Sequence, residues 1–258
     1  MSQMSATGSA YAEDGFRVGR VLGRSFGVLG RHFVQFLLVT AIPIVPLAYV
    51  IGVELVSAVG VKHPDPTAMA RLGLLMMAAV AFWGVAIMIA QAIVLYGTFQ
   101  DMRGKSMSFG EAIIKGFARF FPIIGLAICT LIAVGTGLML LVIPGIIFGL
   151  MFYVALPACV VERLGPIASM KRSIALTKGH RWKIFGILIL IGLLSGIGGA
   201  VIATVLTIVG GAKAMLIGRF VWQAIMGAFG AVVVAVIYHD LRAAREGIDV
   251  ERMAAVFD

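Results

Sequence analysis

Four long apolar runs, at 33–56, 72–96, 121–161 and 184–238, constrain this chain more than any other feature. A helix crosses the hydrocarbon core of a bilayer with about 20 apolar residues, and lipid offers the backbone polar groups no partner. The runs therefore predict helices; they lack the alternation of a membrane β-barrel. The third run is too long for one crossing, since a straight helix of about 41 residues extends roughly 60 Å. Pro144-Gly145 near its middle supplies a turn, giving 121–142 and 145–161. The last run divides at Gly210-Gly211-Ala212-Lys213 into 184–208 and 216–238. The expected fold is all-α, a polytopic membrane bundle of about six transmembrane helices arranged as three hairpins over residues 16–240. A disordered tail, 1–15, precedes it and a C-terminal tail, 241–258, follows.

Composition agrees with that class: 61% of the residues are hydrophobic and 13% charged, where soluble domains run nearer a half and a quarter. Cys129 and Cys159 both fall inside apolar runs and read as small reduced hydrophobes. The small, polar opening segment is not a secretory signal, which needs a basic start and then an apolar run. The first span is expected to serve as the insertion signal.

The +9 net charge invites a nucleic-acid reading, which its distribution excludes. With the N-terminus inside, the inner segments hold Arg17, Arg20, Arg24 and Arg31, then Arg103, Lys105, Lys115 and Arg119. They also hold Arg163, Lys171, Arg172, Lys178, Arg181 and Lys183, and finally Arg242, Arg245 and Arg252. The outer side keeps Lys62, Arg71, Lys213 and Arg219 of the 21 cations. That bias follows the positive-inside rule and places both termini in the cytoplasm.

Three times a basic amphipathic segment reaches an aromatic residue and then an apolar run: SFGVLGRHFVQFLLV, EAIIKGFARFFPIIG and SIALTKGHRWKIFGIL. Phe33, Phe120 and Trp182 occupy matching places, beside Arg31, Arg119 and Arg181. Aromatic rings favour the headgroup boundary and arginines snorkel from it. In the first segment Arg17, Arg20, Arg24 and Arg31 share one helical face, and Val18, Val21, Leu22, Val28 and Leu29 a second. Gly19, Gly23, Gly27 and Gly30 form a third strip, suited to close approach by another helix. Such a helix lies in the inner headgroup region with its cations towards anionic lipid. In the third segment Pro166 starts a helix, Ile167, Met170 and Ile174 repeat on one face, and Lys171, Arg172, Thr177 and Lys178 lie elsewhere. If that helix folds back under the fourth span, Glu162 and Arg172 pair.

Catalytic signals are thin. His32, His63, His180 and His239 show no metal-ligand spacing. Ser169 or Ser173 with His180 lacks an elbow motif and an orienting acid. His239-Asp240 reads as a solvated helix end. Transporters place ionisable groups near the midplane, whereas Glu54 and Arg219 fall near outer ends. Gln91, Thr130, Thr136, Ser195, Thr204 and Gln223 read as helix-joining groups, and the glycines of 192–200 as close packing or, alternatively, as broken helices around a substrate.

The run IPGIIFGLMFYVALPACVVERLGPIASMKRSIALTKGHRWKIFG, with YHDLRAAREGIDVE after it, resembles the glycerophosphoryl diester phosphodiesterase membrane-domain family and YciC-like inner-membrane proteins of bacteria. The matching elements are Ile143-Pro144-Gly145, Pro157, Glu162, Arg172-Ser173, Trp182 and Tyr238-Asp240-Leu241-Arg242. The resemblance implies a six-span protein of the bacterial cytoplasmic membrane. The named phosphodiesterases carry their chemistry on a separate soluble domain, for which about 20 residues after the sixth span leave no room, so hydrolase activity is not expected. The sequence thus predicts a non-enzymatic protein without cofactor or metal. It organises or senses anionic lipid, or scaffolds an envelope partner, and does not bind nucleic acid. A small-solute permease is the second reading and a lipid-headgroup enzyme the third.

Overall fold

The computed structural model describes residues 18–46, 66–102 and 109–254. The N-terminal tail, Arg17, Glu54, Lys62, His63, Arg103, Lys105 and the rest of the first apolar run lie outside the described residues. Within them every regular element is a helix: α1 (Val18–Arg31), α2 (Phe33–Ala41), α3 (Pro66–Met102), α4 (Phe109–Phe117), α5 (Phe120–Leu140), α6 (Val142–Phe152), α7 (Ala155–Val161), α8 (Pro166–Thr177) and α9 (Arg181–Ala254). Four stretches are long and apolar enough to cross a membrane: Ala70–Met102, Phe120–Leu140, Val142–Val161 and Arg181–Glu246.

Proline and glycine shape these helices, though not always as the sequence suggested. The expected turn at Pro144-Gly145 falls earlier, at Leu141, which is extended (φ −165°, ψ 153°). Pro144 instead sits in the first turn of α6, where its missing N–H costs nothing. Gly145 supplies close approach: a Cβ there would collide with the Leu138 side chain and lie 2.9 Å from the Leu138 backbone nitrogen. Pro157 makes a break that the sequence reading missed. It has no N–H for the Tyr153 carbonyl, so α6 stops at Phe152, and bonding resumes where Ala158 N–H donates to the Val154 carbonyl at 3.2 Å.

The last helix reverses at Gly211, whose φ of 70° and ψ of −166° belong to a region open essentially to glycine alone. Trp222 Nε1 donates to the Ser195 carbonyl at 2.9 Å across 27 residues, which a straight helix would hold roughly 40 Å apart. The Trp222 ring lies over Gly198 and Gly199. Gly211→Ala should therefore destabilise the protein by about 1–3 kcal/mol. Gly192→Ala, where an added Cβ meets nothing within 4 Å, should be neutral or slightly stabilising. Thermal unfolding in detergent compares the two; equal effects would mean that Gly211 does not hold the turn.

Buried side chains concentrate at one end, where the short helices dock. They include Val94 and Leu95 of α3, Val154 and Ala158 beside and within α7, and residues 231–233 and 235–238 in α9. Away from that end the long helices expose apolar side chains such as Leu131, Met139, Ile208 and Val209, a surface that water would not tolerate but lipid does. Thr136 and Thr204 return their hydroxyls to their own helices, at Ile132 and Ala200. Thr40 joins two helices by donating to the Ala224 carbonyl at 2.8 Å.

A common register underlies the threefold sequence pattern. The carbonyls of His32, Arg119 and His180 accept from the N–H groups of Phe36, Ile123 and Ile184 at 3.0, 2.9 and 3.0 Å. Those three residues are buried, as are Val39, Leu126 and Ile187 one turn on. Seven residues before each reference point stand Ser25, Ala112 and Ser173, all fully buried. Small side chains there let each short helix sit close to its neighbour. Helix α4 packs on the end of α3, with Gly116 against Ile93, and α8 packs on α6 and α7. Helix α1 packs on the second arm of α9, with Phe26 and Phe229 rings 4.6 Å apart.

Two face assignments change. The inward face of α8 is Ser169, Ser173, Leu176 and Thr177, while Ile167 is exposed. The hydroxyls are satisfied: Ser169 donates to Gly165, Ser173 to Met151 and Thr177 to Ser173 carbonyls at 2.8, 2.7 and 2.9 Å. In α1, Val21, Val28 and Leu29 are buried, but an added Cβ at Gly19, Gly23 or Gly30 meets nothing within 4 Å. Ser25, not the glycine strip, makes the close approach.

Candidate headgroup site at the basic end of the bundle

Three carboxylates stand at the packed end of the long helices, and each holds cations brought by other segments. Asp101, at the end of α3, accepts from Arg31 Nη2 at 2.6 Å and Nε at 3.2 Å, and contacts His32 Nε2 at 3.1 Å. Glu162, just past α7, accepts from Arg172 Nε at 2.9 and 3.0 Å and from the Tyr238 hydroxyl at 2.5 Å. Asp240, in the second arm of α9, accepts from Arg24 at 3.2 Å and faces His239 Nδ1 at 3.3 Å. The solvated helix end expected at His239-Asp240 is thus corrected, because Asp240 is 7% exposed and tied to α1. Asp101 was not singled out in the sequence. A signal existed, since FQDMR at 99–103 repeats the pattern of YHDLR at 238–242.

The cations expected at lipid headgroups differ in their surroundings, and Arg24 and Arg31 stay exposed although each meets a carboxylate. Arg24, Arg31 and Arg172 form the ion pairs above, and Arg172 also reaches Glu246 at 3.3 Å. Arg20, Lys171, Lys178 and Lys183 are exposed, and Arg119 and Arg181 half-buried. Arg245 donates to the Lys178 carbonyl at 3.0 Å, fixing the turn after α8 to the second arm of α9. Burial, and next the cations of Lys183 and Arg245, hold His180 below the usual imidazole range, so it adds no charge to its segment at pH 7. Exposed apolar side chains accompany the cations: Phe26 on α1, Ile114 and Phe117 on α4, Ile167 on α8, and Trp182, 83% exposed, at the start of α9.

Two recesses open at this end. One, of about 290 Å³, lies among Met102, Tyr238, Arg242 and Glu246, and Arg242 Nε donates to Glu246 at 2.6 Å. The other, of about 480 Å³, has Phe99, Val160 and Val161 among its apolar lining and Tyr96, Arg119 and Arg163 among its polar lining. Arg119 Nη1 donates to the Arg163 carbonyl at 3.4 Å. No group of histidine, cysteine or carboxylate among the described residues could hold a metal ion. Ser169 and Ser173, weighed as nucleophiles, are buried with their hydroxyls on carbonyls.

A family model described as a domain of unknown function, DUF7847, matches residues 104–244. That match spans α4 to most of α9, and so includes Glu162, Arg163, Arg172, Tyr238 and Asp240. No curated protein and no solved structure matches the chain.

Proposed function

We propose that this chain, which belongs to the DUF7847 family, is a non-enzymatic protein that binds and organises anionic lipid at the inner face of a cytoplasmic membrane. In this reading six crossings form three hairpins, both termini are cytoplasmic, and the short helices lie in the headgroup layer. The carrying observation is that exposed cations and exposed apolar side chains occur together on α1, on α8 and at the start of α9, at one end of the bundle. Such segments match a layer that is apolar on one side and anionic on the other. The charge bias of the sequence supports the orientation, and the resemblance to the phosphodiesterase membrane domains and YciC-like proteins supports a bacterial inner-membrane location.

Each cation near an anionic surface contributes on the order of 1 kcal/mol, less in salt. The full-length protein, extracted from mixed phosphatidylglycerol and phosphatidylcholine vesicles, should retain phosphatidylglycerol severalfold above its bulk fraction. Arg20→Gln, Lys171→Gln, Lys178→Gln and Lys183→Gln combined should bring retained lipid back to the bulk ratio without preventing insertion, since the apolar spans are untouched. Retention at the bulk ratio by the unchanged protein rejects the proposal.

Cysteine labelling tests the orientation separately. Positions near Ser106, Lys178 and Glu246 should be protected from an impermeant reagent applied outside, while positions near Lys62 and Lys213 react. An outward Lys178 reverses the assignment.

A further inference from the structure

The larger recess is lined by two arginines, Arg119 and Arg163, and by no carboxylate among the described residues. Glu162, beside Arg163 in sequence, binds Arg172 and Tyr238. Glu111 accepts from Tyr96, a lining residue, at 3.0 Å and from Gln100 at 3.4 Å, and neither carboxylate is among the described lining residues. The smaller recess, by contrast, contains its own carboxylate, Glu246.

Backbone conformation at Arg163 adds a second, independent observation. Helix α7 ends at Val161, Glu162 caps it, and Arg163 follows with φ 56°. That left-handed position after a helix is one that glycine fills at no steric cost. Arginine there is the one described non-glycine residue with positive φ, and a side chain kept at such a cost points to a role for the side chain. Its carbonyl takes the Arg119 guanidinium, which brings the two residues to one side of the recess. Guanidinium presents five donors in a planar fork suited to phosphate, so the single long bond made by Arg119 leaves donors to spare. Phe99, Val160 and Val161 supply an apolar wall beside them.

We infer that this recess is a discrete phosphate-binding site, with Arg119 and Arg163 on the anion and the apolar wall beside whatever the phosphate carries. A lipid phosphodiester and free inorganic phosphate share the anion; only the lipid uses the wall. The inference rests on this end of the bundle facing the headgroup layer, and it adds a saturable site to the diffuse attraction of the exposed lysines.

The test uses the full-length protein in a neutral detergent, titrated with short-chain phosphatidylglycerol and, separately, with inorganic phosphate, followed by phosphorus NMR line broadening. Saturable broadening should fall about tenfold in apparent affinity in Arg119→Gln and in Arg163→Gly. Arg163→Gly suits the backbone, so its melting temperature should hold or rise, and Arg163→Asn gives a second substitution that tolerates positive φ. Thr204→Ala, at an exposed hydroxyl that returns to its own helix, should leave the broadening unchanged. Saturation by the lipid alone identifies a lipid phosphate; equal saturation by inorganic phosphate identifies a free-phosphate site. Broadening that does not saturate, or that survives both arginine changes, overturns the inference. The lipid-retention result with the lysine variants then still decides the broader proposal by itself.

Discussion

Replacing Glu162 with alanine should destabilise the protein by about 3 kcal/mol, more than any other single truncation of a charged group at this end. Its carboxylate takes two bonds from Arg172 and one from Tyr238, and it is 17% exposed. Removing one partner of a buried pair costs about 3–5 kcal/mol. Arg172 retains 31% exposure, so water recovers part of that loss and the lower figure applies. Tyr238→Phe should cost about 1 kcal/mol, one hydrogen bond to a charged acceptor less the relief of burying a hydroxyl. Charge reversal gives the sharper test. Glu162→Arg and Arg172→Glu should each destabilise strongly, and the double reversal should recover part of the sum while leaving the Tyr238 bond unmade. Additive losses in reversible unfolding would show that the two side chains do not couple.

A comparably large effect is expected from Gly145→Val. The obstacle beside Gly145 includes the Leu138 backbone nitrogen, and Gly137 lies opposite, where an added Cβ would stand 3.0 Å from the Gly145 Cα. A side chain tip can swing away, but helical backbone cannot. Helices α5 and α6 would have to separate where they meet, at a cost of about 3 kcal/mol, the upper range for overpacking. Gly145→Ala should cost less but still measurably. Gly149→Ala, one turn along α6 with nothing within 4 Å of its would-be Cβ, should change the melting temperature little. If Gly145→Val melts with the unchanged protein, the close approach of α5 and α6 is not what the stability depends on.

Much of this architecture was legible in the sequence because lipid enforces it. Apolar runs must be helical where the backbone has no water to bond, and four such stretches are present. The helix starts at Phe33, Phe120 and Arg181 were marked by adjacent arginine and aromatic residues. The division of the last run at Gly210-Gly211 was legible because two glycines interrupt an apolar stretch too long for one crossing. Pro144-Gly145 misled on the position of the break, since proline at a helix start and proline within a helix look alike in sequence. Pro157 was taken only as part of a family pattern, yet its missing donor divides α6 from α7.

At the candidate site the sequence revealed the cations and concealed their use. Arg24 and Arg31 looked like cations turned to lipid alone, but Asp240 and Asp101 lie within reach of them. Those acids come from 216 and 70 residues away, and no local pattern reports contacts at such distance. Amphipathic period assigned α8 an apolar stripe as its distinctive face, whereas packing turned its serines inward. In lipid, an isoleucine pointing outward loses nothing, and a serine that returns its proton to a carbonyl allows closer contact. Sequence alone determined that the chain is helical and membrane-compatible, because solvent and bilayer act on each segment separately. Only the tertiary structure decided which arginines are held by carboxylates and which line an open recess, because that depends on which helix ends meet.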